Sequence, residues 1–340
     1  MTKAAIVSIS GLYLSDDEKQ ILSQMQPVGV SLFSRNISNK QQLRLLVNEI
    51  KEVIGDDVIV AVDQEGGRVR RLAEPEWKSY ASQNVLGKLS PEIAKMHATL
   101  IARDLKEVGI NLNYAPVLDK LYPQTHEVLR SRCFANHETE LAKAMIETYC
   151  NNGVCPCIKH LPGHGRAKVD PHLGLPVIDC SLSDFEQDMN IFKANNTAPA
   201  GMTAHIVLSE IDDEPITMSS KAIREVIRGY IGFDGLLISD AIDMNALSGT
   251  ICERAIKSLS AGCDLVCYCG GKTEDLSNLA MELPQVSEIT EQRLQKVRDI
   301  IKKSATDEVD YEQYQQAIGS VETYTESYDA TEVLNLMNKK

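Results

Sequence analysis

Short apolar runs rich in β-branched residues recur along the chain, separated by longer stretches of helical period. The runs are AAIVSI (4–9), VGVSLF (28–33), VIVAVD (58–63), INLNYAPVLD (110–119), VCPCIKH (154–160), PAGMTAHIV (199–207), GLLISD (235–240) and DLVCYC (264–269). Each predicts a strand, and their near-continuous apolar character is that of strands buried on both faces. The intervening helices carry start and stop signals. Ser15 and Glu18 form a capping box in SDDE. SNKQQLRLLVNEIKEVIG predicts a helix opening at Ser38 and stopping at Gly55. SPEIAKMHATLIARDLKEVG has Ser90 as cap, Pro91 at the first helical position and Gly109 as stop. A second capping box is read at Ser183 and Glu186, and further helices over 219–229 and 289–303.

Eight buried strands, each followed by a helix or a long loop, predict an α/β fold with a parallel sheet. A doubly wound sheet usually has fewer strands and a glycine-rich phosphate loop after the first, whereas SISGLYLSDDE has a single glycine. A single closed (β/α)8 TIM-type barrel fits better. The absence of a Pro/Gly/Ser-rich linker, low-complexity tract or internal repeat gives one barrel over 1–305. Residues 306–340 are an acidic, tyrosine-bearing extension, predicted to pack on the barrel as a short helical tail.

A net charge of -13 argues against a nucleic-acid or anionic-membrane partner, since both require a basic face. Nothing approaches the roughly 20 apolar residues of a membrane span. The apolar N-terminus lacks a small-residue cleavage site and reads as the first strand rather than a leader. Nine irregularly spaced cysteines do not make a disulfide framework. CPC (155–157) and CYC (267–269) lack zinc-ribbon spacing and sit in predicted buried strands. Reduced, structural thiols point to the cytoplasm.

Chemistry in such barrels collects at the carboxyl ends of the strands. Those ends carry Asp63, Asp119, Lys159 with His160, His205 and Asp240. An unpaired buried carboxylate costs several kcal/mol, so strand-end aspartates should face a cavity or a partner, or cap helices. Asp240 in LLISDAIDM has the character of a nucleophile in retaining glycoside hydrolysis, and Asp243 that of a cap for the next helix. The window KHLPGHGRAKVDPHLGLP (159–176) holds His160, His164 and His172. Asp170 stands two residues before His172, where it can fix the imidazole tautomer and leave the other nitrogen to shuttle a proton. Arg71, Arg132 and Lys159 neighbour the strand ends and can bind sugar hydroxyls or an amide. A metal site of His160, His164, Asp170 and His172 is the local rival. It is disfavoured because LPG between the first two prevents the helix that would align them.

The motifs DQEGGRVRR, RCF, KHLPGHG…DPH, MTAHIV and GFDGLLISDAIDM resemble, in order and spacing, those of family 3 glycoside hydrolases. Within that family the chain resembles the bacterial cytoplasmic β-N-acetylglucosaminidases of peptidoglycan recycling, over roughly residues 1 to 300. The resemblance implies a (β/α)8 barrel; a monomer is expected, with no cofactor or metal. It implies Asp240 as nucleophile and His172, paired with Asp170, as acid and then base. It implies Asp63, Arg71, Arg132, Lys159 and His160 as sugar-binding residues, and His205 lining the same pocket. The implied substrate is GlcNAc-1,6-anhydroMurNAc and its peptide-bearing forms. Ala241 after the nucleophile and Pro171 in the histidine loop depart from the family pattern. Two alternatives stay open: a β-N-acetylglucosaminide phosphorylase or other family 3 β-glycosidase, and a non-catalytic sugar-binding protein.

Overall fold

The computed structural model describes residues 2–136, 138–304 and 308–319. In chain order the strands are β1 (Lys3–Ser8), β2 (Pro27–Leu32), β3 (Ile59–Val62), β4 (Leu112–Asn113), β5 (Cys155–Leu161), β6 (Val177–Ile178), β7 (Ala200–Thr203), β8 (Val207–Leu208), β9 (Leu236–Ala241) and β10 (Leu265–Tyr268). Eight of them close a parallel barrel in the order β1-β10-β9-β7-β5-β4-β3-β2, while β6 and β8 pair as a separate ribbon. This is the expected single (β/α)8 barrel.

Strand alternation divides the apolar residues into two cores. In β1, Ala4 and Ile6 point into the barrel, while Ala5 and Val7 meet the helices outside. The same split puts Leu236, Ile238, Leu265 and Cys267 inside, and Leu237, Val266 and Tyr268 outside. This parity decides which strand-end residues can reach the cavity. Asp63 continues the inward set of Ile59 and Ala61, Lys159 that of Cys155 and Cys157, and Asp240 that of Leu236 and Ile238.

Several sequence expectations shift. Asn39, not Ser38, caps the helix Lys40–Ile54 by accepting from the Gln42 N–H. Ser181, not Ser183, caps Leu182–Ala194. Thr250 caps Ile251–Ala261, so Asp243 is not a cap; its Oδ1 accepts from the Cys269 N–H at 3.0 Å. The run at 110–119 is a strand only over Leu112–Asn113. Pro116 lacks a ladder donor and breaks it. The run at 199–207 also divides. Its first part stays in the barrel, and Val207–Leu208 leaves to pair with Val177–Ile178, anchoring the far end of the histidine-bearing loop.

In the predicted C-terminal extension, the helix Tyr311–Gly319 packs on the helix Pro91–Glu107. Buried Tyr314 places its hydroxyl 2.7 Å from His97 Nδ1 and accepts from the Ala81 N–H at 3.0 Å. Residues 306, 307 and 320–340 of that expected extension lie outside the described residues. Among the described residues, no helix is long and apolar enough to cross a membrane.

Candidate active site

A cavity of about 1280 Å³, counting its open mouth, lies at the carboxyl rim of the barrel. Asp63, Arg71, Arg132, Lys159, His160, Asp170, His172 and Asp240 all line it. His205 does not. Its Nδ1 is 2.8 Å from Thr217 Oγ1, and its Nε2–H donates to the Ala241 carbonyl at 3.0 Å. It therefore props the strand end that carries Asp240.

Two carboxylates share the buried ammonium of Lys159. Its Nζ lies 2.8 Å from Asp63 Oδ1 and 2.6 Å from Glu65 Oε1. Glu65 also holds Arg132 through two bonds of 2.9 Å, and Asp63 accepts from Arg71 at 3.2 Å. Burial opposes ionisation of both acids, but the facing cations outweigh it: Lys159 and Arg71 depress Asp63, and Arg132 and Lys159 depress Glu65. Glu65 sits in the DQEGGR motif, yet periodicity offers no sign of its role, because its partners are distant in sequence. The turn after it needs its glycines. Gly66 and Gly67 have φ of +95° and +60°, and a Cβ on Gly66 would lie 2.2 Å from the Ala81 oxygen. Glu65→Ala is expected to cost about 3–5 kcal/mol, because it leaves two buried cations under-compensated. Urea unfolding measures this, and a loss below about 1 kcal/mol would mean that the network is not held as described.

Asp119 is the second residue whose role sequence reasoning did not assign. Its carboxylate accepts from His160 Nδ1 at 2.6 Å, from the His160 N–H at 3.2 Å and from the His164 N–H at 2.7 Å. Burial would raise its pKa, but these donors and the nearby imidazoles bring it down to about 2. The His164 backbone shapes the loop turn by donating to Asp119. Its ring is also buried against the cavity, 5.7 Å from that of His160, and neither ring nitrogen has a protein partner among the described residues. Of the rival metal set, His160 is bound to Asp119 and His172 to Asp170.

Further along the same loop, Asp170 Oδ1 lies 2.7 Å from His172 Nδ1 and accepts from the His172 N–H at 2.9 Å. Asp170 is buried, and its bonds to His172 overcome the burial penalty and depress its pKa. Nδ1 is therefore the nitrogen bearing hydrogen toward Asp170, and Nε2 is left for the cavity. Asn245 donates to the His172 carbonyl at 3.0 Å, tying this loop to the segment after β9. Asp240 Oδ1 accepts from the Ala241 N–H at 2.7 Å. Burial raises its pKa, but the surrounding His205 and His160 and the Ala241 N–H more than offset it, so the carboxylate stays ionised.

The buried histidines set the response to acid. Burial lowers His97 and His164 to about 4, and it lowers His205 as well. An unfolded histidine takes up its proton near 6.5, so between pH 6.5 and 4 the unfolded chain binds more protons and stability falls as pH falls. His97 and His164 should each remove about 2 kcal/mol by pH 5. Asp119 acts lower: its stabilisation holds above about pH 4 and is lost toward pH 2. Urea midpoints measured from pH 7 to 4.5 should drop steadily. A flat profile would contradict neutral burial of these rings.

A closed parallel barrel with an ionised carboxylate, a carboxylate-bound imidazole and a set of cations around one rim cavity defines a (β/α)8 glycoside hydrolase. The chain belongs to glycosyl hydrolase family 3, whose N-terminal domain matches residues 4–302. It is 33% identical over 279 residues to a Bordetella avium protein named β-hexosaminidase, covering 78% of this chain and 79% of that one. A Psychromonas ingrahamii β-hexosaminidase is 34% identical over 291 residues, covering 82% and 86%. NagZ from Neisseria gonorrhoeae, solved in complex with N-trifluoroacetyl-D-glucosamine, superposes with a TM-score of 0.81 at 30% identity, covering 94% of this chain and 96% of that one.

Proposed function

We propose that this enzyme is a retaining exo-β-N-acetylglucosaminidase acting through Asp240 and the Asp170–His172 pair. The observation that carries the proposal is the 2.7 Å Asp170–His172 bond on one side of a cavity also lined by an ionised Asp240. The names of the relatives and the sugar bound to the Neisseria neighbour support the choice of sugar. In the first step Asp240 attacks the anomeric carbon, and His172 Nε2 gives its proton to the leaving oxygen. In the second step neutral His172 takes a proton from water, which attacks the same carbon and releases Asp240 with net retention. Asp170 stabilises the imidazolium and fixes its orientation. Asp63 accepts from sugar hydroxyls. Arg71, Arg132, Lys159 and His160 donate to the ring substituents, and the free nitrogens of His164 offer one further partner.

The natural substrate we infer is GlcNAc β-1,4-linked to 1,6-anhydro-N-acetylmuramic acid, with or without its stem peptide, cleaved in the cytoplasm by a monomer. The motif resemblance supports this finer reading. The test is turnover of an aryl N-acetyl-β-glucosaminide beside the matching β-glucoside, with EDTA present and with or without phosphate. Release of free GlcNAc from the acetamido sugar alone is the expected result. Sugar-1-phosphate would redirect the reading to a phosphorylase, and no release from folded protein would redirect it to a binding role.

A further inference from the structure

The CYC run that ends β10 plays no part in the chemistry above. Strand alternation turns Cys267 and Cys269 to the same side, and their Sγ atoms lie 3.6 Å apart as free thiols. Both line the cavity that holds Asp63, Lys159 and Asp240. Cys267 is buried and Cys269 half-buried. The backbone carrying them is clamped: the Cys269 N–H donates to Asp243 at 3.0 Å, and its carbonyl accepts from Arg35 at 2.8 Å. We propose that Cys267 and Cys269 form a vicinal dithiol site that captures a trivalent organoarsenical, excluding the sugar from the cavity.

The spacing discriminates between thiol chemistries. A disulfide needs an S–S separation of about 2.05 Å, so it would have to pull the clamped strand end inward. A linear two-coordinate ion places its sulfurs on opposite sides, which two neighbours on one strand cannot supply. Zinc, at about 2.3 Å per Zn–S bond, would accept this bite but requires a fuller ligand set. Among the described residues, no three His, Cys, Asp or Glu side chains are gathered to hold a metal. A trivalent arsenic that carries one carbon substituent needs only two more ligands in a bent arrangement. The condensation is balanced without electron transfer. Two As–S bonds form, two As–OH bonds break, and each thiol proton leaves with a hydroxide as water. The contact with Cys267, together with burial, holds the Cys269 thiol well above its ordinary range. This slows thiolate attack on peroxides or disulfides but does not prevent a condensation between neutral groups.

The test uses the full chain and phenylarsine oxide. Intact mass should show one adduct that excess monothiol leaves in place and dithiothreitol removes. GlcNAc should slow its formation, and aryl glycosidase activity should fall in step with it. Cys267→Ser and Cys269→Ser should each lose the two-thiol chelate, with retention against monothiol reduced about 10²-fold. Each variant is compared with its own untreated rate. If Cys267→Ser does not fold, Cys269→Ser, at the more exposed position, suffices. A monothiol-resistant adduct persisting in a folded serine variant, or one formed at the same rate in saturating GlcNAc, overturns the proposal. Because mass reads capture directly, failure of the glycosidase reading would show separately, as an adduct on a protein that never turned over.

Discussion

Asp240→Asn is expected to lower turnover of any β-N-acetylglucosaminide by at least about 10⁴-fold while leaving sugar binding intact. Asparagine is nearly isosteric and keeps the oxygen that accepts from the Ala241 N–H. What it removes is the charge that must attack the anomeric carbon. That charge is buried, but neighbouring imidazoles and the Ala241 N–H more than offset the cost, so the variant should stay folded and melt at or slightly below the wild-type temperature at neutral pH. The combination separates loss of chemistry from loss of fold. The measurements are steady-state rates on an aryl glycoside, calorimetric binding of GlcNAc and thermal unfolding. Turnover within tenfold of wild type would remove Asp240 from the nucleophile role.

His172→Ala should show the complementary pattern. With an alkyl leaving group, loss of the proton donor is expected to lower the rate by about 10²–10⁴-fold. With an activated aryl leaving group the first step needs little protonation, so its loss should be far smaller. The glycosyl-enzyme should then accumulate, because the same side chain serves as base in the second step. Rapid mixing on an aryl substrate would show a burst of phenolate followed by slow turnover. Equal losses on both leaving groups, without a burst, would contradict an acid/base role. Asp170→Asn should weaken both steps, since it removes the acceptor 2.7 Å from His172 Nδ1 and permits the unproductive tautomer.

The placement of Asp63, Lys159 and Asp240 was legible because each continues the inward parity of an apolar strand. His205 lies past the end of β7 at Thr203, where strand alternation no longer places a side chain, and its bonds to Thr217 and Ala241 set its position. Glu65 and Asp119 left no such trace. Glu65 meets Arg132 across 67 positions, and Asp119 meets His160 across 41. Neither hydrophobic period nor turn chemistry encodes pairings at that separation. The capping errors have the opposite origin. Ser38 and Asn39, or Ser181 and Ser183, are near-equivalent caps locally, and a single backbone bond selects between them.

The sequence by itself determined the eight buried strands, their two-faced alternation, the helices between them and the carboxylates and imidazoles at their ends. These are local consequences of side-chain period and backbone propensity. Only the tertiary structure decided which ends meet. Barrel closure joins β1 to β10, so that Cys267 lies within 3.9 Å of Ser31 Oγ across 236 positions. It also locks Lys159 between two acids from another strand end. These contacts depend on the shear and closure of the whole sheet, because a buried charge must find its partner wherever the fold puts one.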